Sequence, residues 1–482
     1  MIQNIFDKFK IIILVISVLI LNNFDAESQV KILTLDDAIK TALQNNSDTR
    51  IALLEVKKAQ SAVNEAFGYA LPSVDFSASY THLLEKPRMP FPDFEALLNN
   101  STYSVLEAEN LIPKDPNHFL PMRNVLQAFA LSNNYEAKLE VTQILFNSAV
   151  FTGIGASGKY LQTSQEMLNS KVSKTVLQVK QAFYGIVLAK EVVDLMNVSL
   201  DNFQKHYKNV KAMYDQGIAA EYNVLQAEVQ VENFKPSLLE AENALKNSKE
   251  GLKLILKLDK DTEIDVDGSL VYNEIAVAQA NDLIKIANER NNDIRTLESK
   301  IEVDEAFIDL DRSDWWPSLA AFGNYSLNGM ADDFNFLNYR QSMVGVALQM
   351  NLFNGNRTKN KVQQATIERI KTEEQLSQLR DFVTLQIKTK LNELDRVKQN
   401  LISADRNVEL AEKTAKIASI GYTNGTRTQL EVLTAETQLR QAKTNRLQSV
   451  YAYIVTLNEI DDLIGNIKDD YIQMVMRNEI NK

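Results

Sequence analysis

The sequence predicts a mainly α-helical protein that contributes four β-strands per chain to a membrane β-barrel and carries the same structural plan twice. Three observations predict it. Landmark motifs recur in one order in both halves of the chain. Short segments alternate apolar and polar residues with period two. Long proline-free stretches keep an apolar spacing of three and four residues over more turns than a globular helix needs.

The repeat comes first because it organises everything else. Leu71-Pro72-Ser73 returns as Trp316-Pro317-Ser318. The segment before each matches without a gap: Ala42–Arg50 reads ALQNNSDTR and Ala287–Arg295 reads ANERNNDIR. Leu145-Phe146-Asn147 returns as Leu352-Phe353-Asn354. Tyr214-x-x-Gly217 followed by Val224-Leu225-x-Ala227-Glu228-x-Gln230 returns as Tyr422-x-x-Gly425 followed by Val432-Leu433-x-Ala435-Glu436-x-Gln438. The plan divides the chain into a signal peptide (1–26) and two repeats (27–270 and 271–482). The first repeat holds a helix, strands at 72–81 and 135–146 and a helical hairpin at 156–257. The second holds a helix, strands at 318–327 and 342–353 and a hairpin at 358–464.

Each strand has one wet and one apolar face. Val74, Phe76, Ala78 and Tyr80 alternate with Ser73, Asp75, Ser77 and Ser79, and the other three segments behave alike. About ten alternating residues with tyrosines near the ends is the pattern of a membrane β-barrel strand. Pro72 and Pro317 mark the strand entries. Four strands cannot close a lipid-spanning barrel, and open edges are not tolerated in lipid. Copies of the chain must therefore share one barrel; this argument demands an oligomer without giving its number.

Seven of the nine prolines fall between Pro72 and Pro121, which leaves Met122–Lys235 and Ser318 onward free to form long helices. From Leu376 to Ala418 the apolar residues step by three or four, and the stripe thins from leucine to alanine towards its end. A helix from Thr358 to Tyr422 would be roughly 95 Å long. Such helices predict a long coiled-coil tube continuing a small barrel.

The N-terminus sets the compartment. Lys8 and Lys10 precede an apolar run, Ile11–Leu21, and a small-residue cleavage site near Ala26, the pattern of a secretory signal peptide. The absence of cysteine excludes disulfides and a bacterial lipoprotein anchor. The net charge of −11 argues against a nucleic-acid partner.

Little in the chain points to catalysis. Gly153–Lys159 (GIGASGK) imitates a phosphate-binding loop, but residue 160 is tyrosine where magnesium needs a hydroxyl of Ser or Thr. The matching place in the second half reads Asn354-Gly355-Asn356, so these glycines are expected to form the bend from strand to helix. His82, His118 and His206 are scattered without metal-ligand spacing. No cofactor and no enzymatic activity are expected.

The segment Tyr422-Thr423-Asn424-Gly425-Thr426-Arg427-Thr428, followed by Val432-Leu433-x-Ala435, resembles the helix-to-helix turn of the TolC-type outer-membrane efflux family, the outer membrane factors. The first copy, Tyr214 to Ala227, keeps the tyrosine, glycine and valine but has Ile218-Ala219-Ala220 in place of Thr-Arg-Thr. The resemblance covers nearly all of the mature chain. It implies a homotrimer with a twelve-stranded barrel in outer-membrane lipid and a helical tube in the periplasm of a Gram-negative bacterium. It also implies docking onto a periplasmic adaptor and an inner-membrane pump or ABC transporter. The chain would then be the exit duct of an efflux or type I secretion system. A cell-surface structural or adhesive coiled-coil protein is the alternative reading.

The same resemblance assigns a gate to the periplasmic tip. The turns at Gly217 and Gly425, with Tyr214 and Tyr422, are expected to meet there. The matching gate residues are Arg427 and Glu431 in the second copy and Glu221, Tyr222 and Asn223 in the first. Thr434 stands where the family often has an acid. One departure concerns residues 81–134. They separate the first two strands by about fifty residues, contain six prolines, and are expected to form an extracellular loop.

Overall fold

The computed structural model describes residues 30–466 and 468–477. The signal-peptide segment, 1–26, lies outside the described residues. In chain order the elements are β1 (Lys31–Leu33), α1 (Leu35–Asn45), α2 (Ser47–Gly68), β2 (Ser73–His82), β3 (Arg88–Pro92), α3 (Phe94–Ala108), β4 (Asn124–Ala128) and β5 (Asn133–Asn147). There follow α4 (Ser148–Asp215), α5 (Glu221–Leu256), β6 (Ile264–Val266), α6 (Ala280–Arg290) and α7 (Asn292–Arg312). The chain continues through β7 (Ser318–Ala331), β8 (Leu337–Gln349), α8 (Arg357–Thr423), α9 (Gln429–Leu463) and α10 (Asp469–Arg477). They fall into two units. One comprises Val63–Ala156 with Ala306–Ala365; the other takes the remaining described residues.

The first unit holds a four-stranded antiparallel sheet in the order β2-β5-β7-β8. Its register stacks the alternation of each strand upon the next. Phe76 pairs with Leu139, Leu139 with Tyr325, and Val74 with Val141, so apolar residues share one face. Asp75 pairs with Glu140 and Glu140 with Asn324, so polar residues share the other. The apolar face is bare: Phe76 is 72% exposed and Leu348 72%. Both outer strands, β2 and β8, keep one edge without a partner among the described residues. Pro72 and Pro317 stand immediately before β2 and β7, where a missing N–H costs no ladder bond.

Several boundaries differ from the sequence reading. The fourth strand occupies Leu337–Gln349 rather than 342–353. It stops short because Gly355 and Asn356 adopt positive φ (67° and 62°) and turn the chain into α8, leaving Leu352 and Phe353 outside the ladder. The first repeat makes no such bend. The side chain of Asn147 accepts from the Ala149 and Val150 N–H groups, and α4 starts directly at Ser148. Gly153, Gly155 and Gly158 consequently lie inside α4, neither a strand-to-helix bend nor a loop able to cradle a phosphate.

The segment 81–134 is also more than a loop. β3 pairs with β4, and α3 lies between them in sequence. Asp93 caps α3, accepting from Glu95 N (3.0 Å). Phe91 stacks on Phe94 with centroids 5.4 Å apart, and Tyr103 stacks on His118 at 4.8 Å. The base of this insert is fastened to the β7–β8 turn: Ser132 donates through N and Oγ to Asp332 Oδ1 (2.9 and 3.0 Å), and Lys86 pairs with the same carboxylate. These partners, Lys86 foremost, hold the Asp332 pKa down to about 2.

In the helical unit each repeat builds its own core. Ile39, Val172, Phe183, Leu252 and Leu256 pack together in the first, joined by Tyr471 and Val475 of α10. Leu283, Ile294, Ile387, Leu394, Tyr453 and Ile460 pack together in the second. The recurring asparagine of ALQNNSDTR and ANERNNDIR has one structural task in both copies. Asn46 Oδ1 caps α2 by accepting from Asp48 N (2.8 Å), while its Nδ2 donates to Ile255 O (3.1 Å) at the end of α5. Asn291 Oδ1 caps α7 by accepting from Asp293 and Ile294 N (both 3.0 Å), while its Nδ2 donates to Leu463 O (2.9 Å) at the end of α9. One side chain thus caps a helix start and satisfies the last turn of a distant helix.

Replacing either asparagine with alanine removes the cap and strands a carbonyl. Asn46→Ala and Asn291→Ala are each expected to destabilise the helical unit by about 1–2 kcal/mol, read as a lower urea midpoint of the helical circular-dichroism signal. The effect should be larger for Asn291, which is 6% exposed.

Candidate functional site

The candidate site is the pair of reversals between α4 and α5 and between α8 and α9, within the helical unit. Both use a left-handed glycine, Gly217 at φ 74° and Gly425 at φ 72°. The closing bonds correspond: Gly217 N donates to Tyr214 O (2.8 Å) and Ile218 N to Met213 O (2.8 Å). In the second copy Gly425 N donates to Tyr422 O (3.0 Å) and Thr426 N to Gly421 O (2.8 Å).

Beyond the glycines the copies part. Thr428 and Glu431 form a capping box on α9: Glu431 N donates to Thr428 Oγ1 (3.3 Å) and Thr428 N donates to Glu431 Oε2 (2.7 Å). Arg427 Nη1 donates to the other oxygen, Oε1 (2.7 Å). At α5 the corresponding residue is Ala220, and no side chain caps the helix. The Thr-Arg-Thr against Ile-Ala-Ala difference therefore becomes one tied tip and one untied tip. Gly421 permits the arginine's position, because a Cβ there would lie 2.4 Å from Arg427 Cγ. That glycine sits in the sequence Ile420-Gly421-Tyr422, and its only signal in the chain is a glycine inside a helix.

The residues expected to form a gate fall into two groups. Arg427 and Glu431 bind each other, and both are about half exposed. Glu221, Tyr222 and Asn223 open α5, and Tyr222 is 71% exposed. At the tips the two hairpins are joined through Gln429, whose Nε2 donates to Asn223 O (3.0 Å). The sequence-equivalent tyrosines also diverge. Tyr214 is largely exposed, whereas Tyr422 lies against His206 of α4, ring centroids 5.3 Å apart.

The seam between the hairpins combines close packing with unpaired polar atoms. Leu433 of α9 enters a cluster with Met196, Phe203, Val231 and Phe234, and the Arg440 guanidinium sits 5.6 Å from the Phe234 centroid. Ala415 and Ala418 pack on Val432 and Ala435, which lets α8 and α9 approach closely. His206 Nε2, Tyr422 Oη and Gln429 Oε1 are buried here without a hydrogen-bond partner. Burial pushes the His206 imidazole below its ordinary range and the Tyr422 phenol above its own. The Thr428 N–H, then Arg427, hold the Glu431 carboxyl below the usual glutamate value. A groove of about 480 Å³ beside them is lined by Ile417, Arg427, Leu430, Glu431 and Thr434 among others.

Among the described residues no group of His, Cys, Asp or Glu could hold a metal ion, and no helix is long and apolar enough to cross a membrane. A bare amphipathic sheet with two free edges, built into a chain of long helical hairpins, defines a channel-forming outer-membrane protein. The chain belongs to the outer membrane efflux protein family, whose model matches residues 126–256 and 283–466. It is 21% identical over 354 residues to the outer membrane protein TolC of Vibrio cholerae, covering 72% of this chain and 81% of that protein. It is 18% identical over 350 residues to the alkaline protease secretion protein AprF of Pseudomonas aeruginosa, covering 72% and 73%. Its fold matches the crystal structure of CusC with a TM-score of 0.68 at 17% identity, covering 92% of this chain and 94% of that one. The protein resides in the outer membrane of a Gram-negative bacterium and serves there as an exit duct for efflux or secretion.

The seam should respond to acid in two stages. His206 has a lowered folded pKa, so below its ordinary 6.5 the unfolded seam takes a proton that the folded seam resists, and stability falls with pH. The Glu431 contribution is complete above its ordinary 4.5 and is lost as pH drops through the lower folded value. Amide protection factors around 200–210 and 418–435, taken against the intrinsic exchange rate at each pH, are expected to fall below pH 6.5 and again below 4.5. His206→Phe should abolish the first stage alone, and Glu431→Gln should blunt the second alone.

Proposed function

We propose that three copies close one twelve-stranded barrel, and that the duct is gated at its periplasmic end by the Gly217 and Gly425 tips. The observation that carries this reading is the four-stranded sheet with an exposed apolar face and two unpaired edges. Lipid offers no partner to an open edge, so β2 of one copy must meet β8 of the next. The number three is what the resemblance to the outer membrane factors implies. The polar face, with Asp75, Glu140 and Asn324, then lines the lumen.

In this reading the hairpin tips receive a periplasmic adaptor and an inner-membrane pump or ABC transporter. The tied second tip, with Arg427, Thr428 and Glu431, keeps its shape, while on the untied tip Glu221 and Tyr222 present exposed groups to a partner beside the half-buried Asn223. The Gln429–Asn223 hydrogen bond at the tips and the unpaired seam atoms favour a closed tip that separates without large cost. The likeness to AprF and TolC leaves both secretion and efflux transporters open as partners. The chemistry of this chain is passage and gating rather than catalysis.

Chemical crosslinking of the detergent-purified protein is expected to stop at three chains. A stable monomer, or a ladder continuing past three, would defeat the shared barrel. For the gate, Arg427→Ala combined with Gln429→Ala is expected to raise single-channel conductance in planar bilayers without lowering trimer stability. Glu431→Gln, which keeps a capping side chain, should weaken cation preference. Parental conductance and selectivity in both variants would remove these residues from the gate.

A further inference from the structure

The helix of the insert, α3, is built inside out. Three of its polar residues, Asn99, Asn100 and Glu107, bind the rest of the insert, while Glu95, Ser101, Thr102 and Ser104 are exposed. Asn99 Nδ2 donates to His118 O (2.6 Å), Asn100 Nδ2 donates to Leu120 O (2.8 Å), and Leu120 N donates back to Asn100 Oδ1 (2.7 Å). Glu107 accepts from Asp115 N (3.2 Å) and lies 3.1 Å from His118 Nδ1. Ala96 is buried on the same side. The outward face carries Phe94 (45% exposed), Leu97 (41%), Leu98 (61%) and Val105 (62%), with Ser101 and Thr102 between the last two. A face of this kind turned to water marks an interaction surface.

Two features select its occupant. Helices that rest on a lipid surface carry lysine and arginine on the polar face to meet anionic headgroups. The only charged residues of α3 are Glu95 and Glu107, which disfavours a lipid surface. The insert also grows directly from β2, whose outer edge is unpaired, and its base is bolted to Asp332 in the turn leading to β8, which carries the other unpaired edge. In a closed ring both edges meet neighbouring copies, so each insert stands at the rim where one copy joins the next. The insert surface is therefore continuous with the barrel interface, and rotational symmetry brings identical inserts to the same height.

We infer that the apolar face of α3 packs against the insert of a neighbouring copy, forming an inter-subunit collar at the outer rim of the barrel. This rests on the shared-barrel reading. The collar would add apolar burial outside the lipid, where the strand edges supply hydrogen bonds but little packing. Its occupant is a second copy of this chain.

The test places a photoreactive p-benzoylphenylalanine at position 98 of the full chain. Illumination takes place in isolated outer membranes, after which the protein is purified and its particle mass measured by light scattering. The expected result is a particle of three chains with a covalent two-chain product, whose crosslinked peptide maps within residues 84–129 of the partner copy. That product should disappear when Phe94→Glu and Val105→Glu are added while the three-chain mass persists. Three chains with crosslinks only within one chain, to lipid, to another protein or to the partner's helical hairpins would overturn the collar and leave the shared barrel standing. A one-chain particle would overturn both.

Discussion

The rest of this structure depends on one constraint: a hydrogen-bonding strand edge cannot be left open in hydrocarbon. Four strands in the order β2-β5-β7-β8 satisfy their inner edges and leave two outer ones. The register then stacks apolar residues on one face and polar residues on the other. Such a sheet is incomplete alone, since its exposed face needs lipid and its edges need copies of itself. Oligomerisation is thus a condition of folding in the membrane and more than a regulatory option.

The duplicated plan supplies the strands two at a time, and it reuses local solutions where the local problem is the same. The Asn46 and Asn291 caps show this most directly, because each asparagine performs both its bonds in the same relation to the same elements. The tips show the opposite. Two turns with the same glycine geometry end in different chemistry: the second is held by a capping box and an arginine, the first by backbone alone. Where the two hairpins meet, around His206, Tyr422 and Gln429, three buried polar atoms have no hydrogen-bond partner. For the proposed gate that imbalance matters, since a fully satisfied seam would resist separation.

Much of this was legible in the residues. The repeat, the four alternating segments, the helical hairpins and the glycine turns all rest on short-range rules: periodicity, proline placement and helix-ending chemistry. The positions where reading failed were governed by longer-range geometry. Nothing local distinguishes Gly153 and Gly155 inside a helix from glycines in a bend; the Asn147 cap and the directness of the β5–α4 junction decided it. The end of β8 was misplaced because Leu352 and Phe353 continue the alternation past the turn set by Gly355 and Asn356. The insert looked like a proline-rich loop because its helix turns apolar residues outward and uses asparagines within, the reverse of the usual pattern.

By itself the sequence determined the class of the protein. A strand's two faces are written in its alternation, and four such strands cannot close a barrel, whatever the surrounding fold. It also determined where the chain reverses, because glycine alone reaches the left-handed turn without strain. Only the tertiary structure decided which side chains serve each turn. The bond from Gln429 to Asn223 and the contact of His206 with Tyr422 join residues through space, whereas Arg427 and Glu431 are partners only four positions apart. His206 and Tyr422 are separated by more than two hundred positions, and no spacing rule in the chain encodes that approach. The physical reason is that periodicity specifies a face, whereas the partner on that face is chosen by how whole helices pack.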